Sequence, residues 1–347
     1  MTEFAPVLIA WQRQFGRSDL PWQNTRDPYR IWLSEIMLQQ TQVASVIPYF
    51  QRFLQKFPDN ATLAAAPQEE VLGYWAGLGY YARARNLHRC ARQVEQEYGG
   101  QFPTRAEALV ALPGIGRSTA AAIAVFSTGA REAILDGNVK RVLTRCFGVT
   151  GYPGVPTIER ALWSLAECLL PEKGIEAYTQ GLMDLGASLC SRTRPQCDLC
   201  PLASFCVARC EARTAELPTP KPRKAIPVKS ARMALLAYAG SVLVLERPSA
   251  GVWGGLWSLP ELGPSESLDS LAQRWGCKVG QWQTLPVVRH AFTHFRLEIT
   301  PTLGHVERVD ALAPDDTAPC RGLALDALET APLPAPVFKL LRGLRQS

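Results

Sequence analysis

The sequence predicts an all-α region followed by a smaller α+β domain, and three observations carry that division. From about residue 3 to residue 212, apolar residues recur at three- and four-residue spacing, as in Ile31, Met37, Leu38, Val43 and Ile47. Residues 215–231, AELPTPKPRKAIPVKSA, set Pro218, Pro220, Pro222 and Pro227 among basic residues, a composition that disfavours helix and suits an extended, semi-rigid linker. Beyond it the pattern changes to short alternating or β-rich runs at 233–239, 241–247 and 286–300, with helical stretches near 265–275 and 334–345.

Length and composition bound what such a chain can be. The 347 residues leave room for two or three domains, and 47% hydrophobic with 20% charged residues exclude a wholly disordered chain. The longest apolar stretch, around Ala120 to Phe126, is far too short to span a bilayer, so no membrane partner is expected. The N-terminus carries no basic leader with a small-residue cleavage site, which predicts a cytoplasmic protein. A net charge of +6 is too mild to argue for nucleic acid by itself, yet +4 of it falls in residues 215–232, and Arg83, Arg85, Arg89 and Arg92 form a second cluster.

Ten cysteines without a secretion signal point to thiols or metal rather than to a disulfide scaffold. Cys90, Cys146, Cys168, Cys277 and Cys320 are scattered and read as small buried hydrophobes, with Cys210 structural or free. Cys190, Cys197, Cys200 and Cys206 instead form C-x6-C-x2-C-x5-C. Four thiolates within seventeen residues can close around one soft metal centre, either zinc or an iron–sulfur cluster. Arg192, Arg194 and Arg209 run through the same loop, where they could meet phosphates.

Residues 107–125, EALVALPGIGRSTAAAIAV, read as helix, tight turn, helix. Gly114 and Gly116 permit the turn and a close backbone approach, and the second helix presents free N–H groups at its N-terminus, a device for gripping phosphate without reading bases. Downstream, AILDGNVKRV places Asp136 before a helix starting near Asn138 or Val139. Asp136 is a natural N-cap, and N–H groups bonded to it would favour its ionised form. Glu35 lies in PYRIWLSEIMLQQTQV among Ile31, Trp32, Ile36 and Met37. Facing inward there, its pKa would rise and it could hold a proton near neutral pH.

Four segments in order resemble one family. SEIMLQQTQV (34–43) is similar to the signature of the MutY-type adenine DNA glycosylases, LPGIGR to the helix-hairpin-helix of DNA repair proteins, and the cysteine spacing to the cluster loop of the endonuclease III and MutY group. GLGYYARARNL (77–87) completes the set. The resemblance implies a catalytic region over residues 1–214, with a six-helix barrel lobe carrying the hairpin at about 25–130. A lobe holding one 4Fe-4S cluster on Cys190, Cys197, Cys200 and Cys206 would be formed by the N-terminal helix and about 131–212. After the linker at 215–231, residues 232–347 would form a Nudix-like domain that begins its motif at WGGLWSLPE (253–261). The stretch GPSESLDSLAQRWG lacks an R-E-x-x-E-E run, which disfavours pyrophosphohydrolysis and favours recognition.

The same resemblance assigns roles. Glu35 would protonate adenine, Asp136 would stabilise an oxocarbenium-like sugar, and Asn138 would orient water or Asp136. Ser118 stands where bifunctional relatives carry a Schiff-base lysine, which implies a monofunctional glycosylase. Lys140, four residues after Asp136, could trap an abasic sugar adventitiously. Gln40, Leu78 and Tyr80 match wedge positions, and Trp22 and Asp184 match adenine-pocket positions. Phe292, Thr293 and His294 match a Phe-Ser-His turn that contacts 8-oxoguanine, with threonine in place of serine. The implied partner is double-stranded DNA bearing an adenine:8-oxoguanine or adenine:guanine mispair, met by a monomer associated with the nucleoid.

Overall fold

The computed structural model describes residues 3–222, 225–309 and 319–346. Up to residue 212 it contains the helices α1 (Phe4–Phe15), α2 (Pro28–Leu38), α3 (Val43–Lys56), α4 (Asn60–Ala65), α5 (Gln68–Trp75), α6 (Ala82–Tyr98), α7 (Ala106–Val110), α8 (Arg117–Thr128), α9 (Gly137–Cys146), α10 (Pro156–Cys168), α11 (Ile175–Ala187) and α12 (Val207–Cys210). The C-terminal part holds α13 (Leu268–Arg274), α14 (Ala335–Gln346) and a seven-stranded sheet. The predicted class, all-α followed by α+β, is the observed one. None of the described helices is long and apolar enough to cross a membrane.

Contacts divide the chain into two compact units, residues 1–65 with 86–223, and residues 66–85 with 224–347. In the first unit, α2 begins with Asp27 accepting a hydrogen bond from the Tyr29 N–H and with Pro28 in the first turn, where its missing N–H costs nothing. Ile31, Trp32, Leu33, Ser34, Ile36 and Met37 are all buried, so α2 is covered on nearly every side and Glu35 is set in an apolar neighbourhood. A second core joins Phe4 and Leu8 of α1, Val139, Val142 and Leu143 of α9, Leu162 of α10, and Tyr178, Leu182 and Leu185 of α11. Gly181 allows α1 close to α11: a Cβ there would lie 3.1 Å from Leu8 Cγ and 3.2 Å from Gln12 Cβ.

In the second unit the sheet comprises β1 (Val228–Tyr238), β2 (Ser241–Glu246), β3 (Trp257–Ser258), β4 (Cys277–Thr284), β5 (Val288–Ala291), β6 (Arg296–Val309) and β7 (Cys320–Ala324). Its order is β3-β2-β1-β6-β4, with β5 beside β6 and β7 beside β2. The β1 and β6 strands are parallel, Ala231 opposite Ile299, and the other pairs are antiparallel. The sheet packs Leu236 and Leu243 against Leu271, Ala272 and Trp275 from α13 and its C-terminal end.

Residues 66–85, which lie within the span the resemblance gives to the hairpin lobe, share their contacts with the sheet. Glu69 accepts a 2.9 Å bond from Trp257 Nε1 and pairs with Arg321 at 2.6 Å. Arg85 Nη1 donates to the Gly254 carbonyl at 2.6 Å, and Tyr81 Oη donates to the Leu333 carbonyl at 3.2 Å. Gly73 lets the Thr330 carbonyl approach to where a Cβ would be 2.8 Å away. Every one of these pairs spans well over a hundred residues, beyond the reach of any local pattern.

Candidate active site

The first unit holds a cavity of about 580 Å³ lined by Trp22, Ile31, Glu35, Leu38, Gln180 and Met183, among others. Burial of Glu35 in α2 pushes its carboxyl up to about 7, and the negative charge of Asp136 adds to the shift. The two acids are therefore electrostatic neighbours, although 101 positions separate them in the sequence.

Asp136 caps α9, which starts at Gly137, by accepting a 2.7 Å bond from the Val139 N–H. Its pKa is nevertheless raised, because burial outweighs the N–H groups of Val139 and Asn138 and the charges of Arg141 and Lys140 that pull the other way. The capping geometry expected from AILDGNVKRV is present, but burial rather than the N–H bonds sets the direction of the shift. Since Asp136's charge is one cause of Glu35's shift, the capped aspartate ionises first and the glutamate keeps the proton longer.

Asn138 faces Asp136 across a long 3.5 Å contact from Nδ2 to Oδ2, while its own Oδ1 accepts from Arg141 Nη2 at 2.8 Å. Arg141 also donates to the carbonyls of Gly186 at 2.6 Å and Cys190 at 2.8 Å. Gly186 is required by that packing, since a Cβ would sit 2.6 Å from Asn138 Cβ.

Ser118 lies in the first turn of α8, and its Oγ accepts a 2.9 Å bond from the N–H of Leu135, the residue before Asp136. It fixes the approach to the aspartate. In the hairpin turn, Gly114 has φ +80° and its Cβ would lie 2.9 Å from Asn86 Cβ, so the turn itself demands glycine. Gly116 has an ordinary extended conformation and open space around its Cα, which leaves the protein without a reason of its own for glycine there. Arg117, in the same motif, is committed to Glu167 and stacks 3.9 Å over the Trp163 ring. Lys140 Nζ is bound to Glu159 Oε1 at 2.5 Å, so the amine is engaged away from Asp136.

The remaining positions divide. Trp22 is buried edge-on against Phe50 at 5.4 Å and still lines the cavity. Asp184, by contrast, is 2% exposed and is absent from the lining; it binds the Arg17 backbone N–H at 2.9 Å, Arg17 Nε at 2.7 Å and Gln180 Nε2 at 2.8 Å. It holds two residues that do line the cavity. Gln40 is exposed with φ +56° and Tyr80 is 47% exposed with φ +50°, both in the left-handed region that costs a non-glycine residue. Leu78, expected as a wedge, is only 7% exposed and packs into its own unit.

In the second unit Phe292 and Phe295 stack at 4.4 Å, His290 meets Phe292 edge-on at 4.6 Å, and the Phe292 N–H closes the turn on the Phe295 carbonyl. Thr293 and His294 are exposed at its tip, and Thr293 Oγ1 lies 3.4 Å from Tyr80 Oη. In α13 and just before it, where a hydrolase would place metal-binding glutamates, the acids are engaged otherwise. Glu266 takes the Gly263 N–H and Arg274, and Asp269 accepts from Trp282 Nε1.

Two family models match the chain: the HhH-GPD superfamily of base excision DNA repair proteins over residues 33–168, and the NUDIX domain over residues 232–343. An adenine DNA glycosylase of Buchnera aphidicola subsp. Acyrthosiphon pisum is 36% identical over 300 residues, covering 86% of both chains. The chain belongs to the adenine DNA glycosylase family. The human adenine DNA glycosylase is 35% identical over 86% of this chain and 66% of its own length. A thermostable thymine-DNA glycosylase structure superposes with TM-score 0.56 at 32% identity, over 60% of this chain and 96% of its own. An endonuclease III–DNA complex at 23% identity and TM-score 0.52 shows the same helical fold.

For an adenine DNA glycosylase family member, the cysteine loop is the natural place for a cluster. Cys197 and Cys200 each feel the charge of Cys190 and Cys206, so the four thiols share one neighbourhood. No three His, Cys, Asp or Glu among the described residues converge closely enough for a single metal ion. Four soft thiols in one neighbourhood suit a thiolate-bound metal centre by donor chemistry. The local pattern did not reveal Arg17, Gln180, Arg141 or Gly186; the i, i+4 spacing of Gln180 to Asp184 is the one signal that could have.

Proposed function

We propose that this chain excises adenine mispaired with 8-oxoguanine, and with guanine, in double-stranded DNA. The observation that carries the reading is Glu35: a carboxyl held near pKa 7 in the wall of a 580 Å³ cavity, beside a capped aspartate. A duplex hides the N-glycosidic bond, so adenosine rotates out into the cavity while Gln40 and Tyr80 occupy the disturbed stack. Glu35 donates its proton to the adenine ring, and the C1′–N bond electrons leave with the base. Asp136 faces the positive sugar, and water adds at C1′ with loss of a proton.

General acid catalysis supplies about 10² to 10⁴-fold, so positioning and the field of Asp136 account for the rest. Ser118 offers a hydroxyl already bonded to a backbone N–H where a lyase would need an amine, which supports a monofunctional enzyme. Gly114 and Gly116, with the α8 N-terminus, would grip a phosphate. Phe292, Thr293 and His294 would meet the damaged base opposite.

Cys190, Cys197, Cys200 and Cys206 would hold one 4Fe-4S cluster, which when bound cross-links a loop with little core of its own. The protein would act as a monomer in the cytoplasm, along the nucleoid. The test is single-turnover cleavage of three duplexes, with adenine opposite 8-oxoguanine, adenine opposite guanine, and thymine glycol. The reading expects rates in that order, with the last at background; thymine glycol excision with strand nicking would replace it by a bifunctional pyrimidine glycosylase.

A further inference from the structure

Arg145, near the C-terminal end of α9, is a buried cation with no carboxylate. Its residue is 2% exposed. Nε donates to the Leu217 carbonyl at 2.8 Å, Nη1 to the Ser191 carbonyl at 2.7 Å and to Cys190 Sγ at 3.4 Å, and Nη2 to the Arg192 carbonyl at 3.2 Å. Three neutral oxygens and one sulfur satisfy its donors, but no acid among the described residues balances its charge. A guanidinium cannot escape by losing its proton. Hydrogen bonds alone leave the cost of an uncompensated buried charge, which amounts to several kcal/mol in a protein interior.

Among its contacts, the group that can carry a negative charge is a thiol. Arg145 touches Cys190 directly, its charge acts on Cys197 and Cys206, and its own carbonyl lies 3.6 Å from Cys206 Sγ. Four thiolates around a four-iron core leave a net negative charge, and that is the compensation this pocket lacks. We infer that Arg145 is the internal counter-ion of the cysteine site, a positioning residue that clamps Cys190 and the 190–192 backbone and offsets the negative charge of the loaded loop. The inference rests on the cluster reading given under the proposed function. Two consequences separate it from ordinary packing. Removing the charge should loosen iron even where the fold survives, and it should make the cluster harder to reduce, because both the cation and the N–H···S bond favour the more negative reduced form.

The experiment uses the full-length protein purified without oxygen, as wild type, Arg145→Met, Arg145→Lys and, as a loop control, Arg194→Met at an exposed arginine. Iron and sulfide content, absorbance near 400 nm, the rate of iron loss to a ferrous chelator and the reduction potential are measured. Arg145→Met should lose iron about 10-fold faster or more, with a lower potential. Arg145→Lys, which keeps the charge without the fork of donors, should fall between, and Arg194→Met should match wild type. If Arg145→Met does not accumulate, Arg145→Lys decides: faster iron loss with a shifted potential supports the inference, and wild-type values for both overturn it. A wild-type protein lacking iron, sulfide and the band would sink the cluster reading and this inference with it. A loaded wild type with an indistinguishable Arg145→Met would sink the inference alone.

Discussion

Asp136 and Thr293 represent two ways of building a polar contact. Asp136 is bonded at 2.7 Å to a helix N–H, approached by Arg141 and Asn138, and braced from behind by the Ser118 bond to Leu135. Thr293 sits exposed at the tip of a turn that is held by a phenylalanine stack, with a 3.4 Å contact to an equally exposed Tyr80 as its polar tie. The first region is fixed before any ligand arrives, as electrostatic stabilisation of a transition state requires. The second can settle onto a surface. Changes in the first should therefore cost rate, and changes in the second should cost discrimination.

The sharpest way to break the comparison is Glu35→Gln, which keeps the shape and removes the proton. Single-turnover cleavage should fall by about 10² to 10⁴-fold while duplex affinity is retained; full activity would falsify the acid assignment. In the unchanged protein, activity should decline as pH rises through about 7, where Glu35 loses its proton. Stability shifts the other way in the variant. A folded carboxyl raised from 4.5 to about 7 favours the neutral form, so ionisation subtracts stability as pH climbs through that window. Glu35→Gln should gain Tm relative to wild type at pH 8 and gain little at pH 4.

Next in size is Asp136→Asn. Asparagine caps helices about as well as aspartate, so the melting temperature should barely move. Loss of the negative charge should still lower the rate by roughly 10² to 10³-fold, the scale of one well-placed electrostatic group. It should also lower the pKa read from the activity profile, since Asp136 is one cause of Glu35's elevation. A large fall in Tm with a small fall in rate would make the aspartate a structural cap and nothing more.

How far these sites could be read in the sequence follows the same physical divide. The Asp136 cap, the glycine turn at Gly114 and the apolar setting of Glu35 are local, because they depend on residues a few positions apart. The all-α to α+β change was legible for the same reason. The support that Asp184 gives is not visible locally, because its partner Arg17 lies 167 residues away. Leu78 and Tyr80 are two residues apart, yet one is buried and the other exposed, a distinction the local pattern of GLGYY does not give. The sign of the Asp136 shift needed the balance of burial against bonding.

Within the second region, Phe292→Ala removes a ring that Phe295, His290 and Trp253 all pack against. The preference for 8-oxoguanine over guanine should drop about 10-fold, in line with one buried aromatic contact of roughly 0.5–1.5 kcal/mol beyond its area. Cleavage of the best substrate should change much less. Equal losses on both substrates would show that the turn supports the fold rather than reads the base.

The smallest effect, and the finest test, is Thr293→Ser. Both side chains offer the same hydroxyl, but the threonine methyl restricts χ1 and holds Oγ1 towards Tyr80. Serine would release that hold at little cost to the turn, whose closure is a backbone bond and a ring stack. If the hydroxyl serves the damaged base, releasing it should raise the 8-oxoguanine to guanine ratio by about 2- to 3-fold, the worth of roughly 0.4–0.7 kcal/mol at a long hydrogen bond. If the Tyr80 contact is what orients the turn, the ratio should fall by a similar factor, and Tyr80→Phe should reproduce the fall. An unchanged ratio in both variants would remove Thr293 from the reading of the opposite base and leave that work to Phe292 and His294.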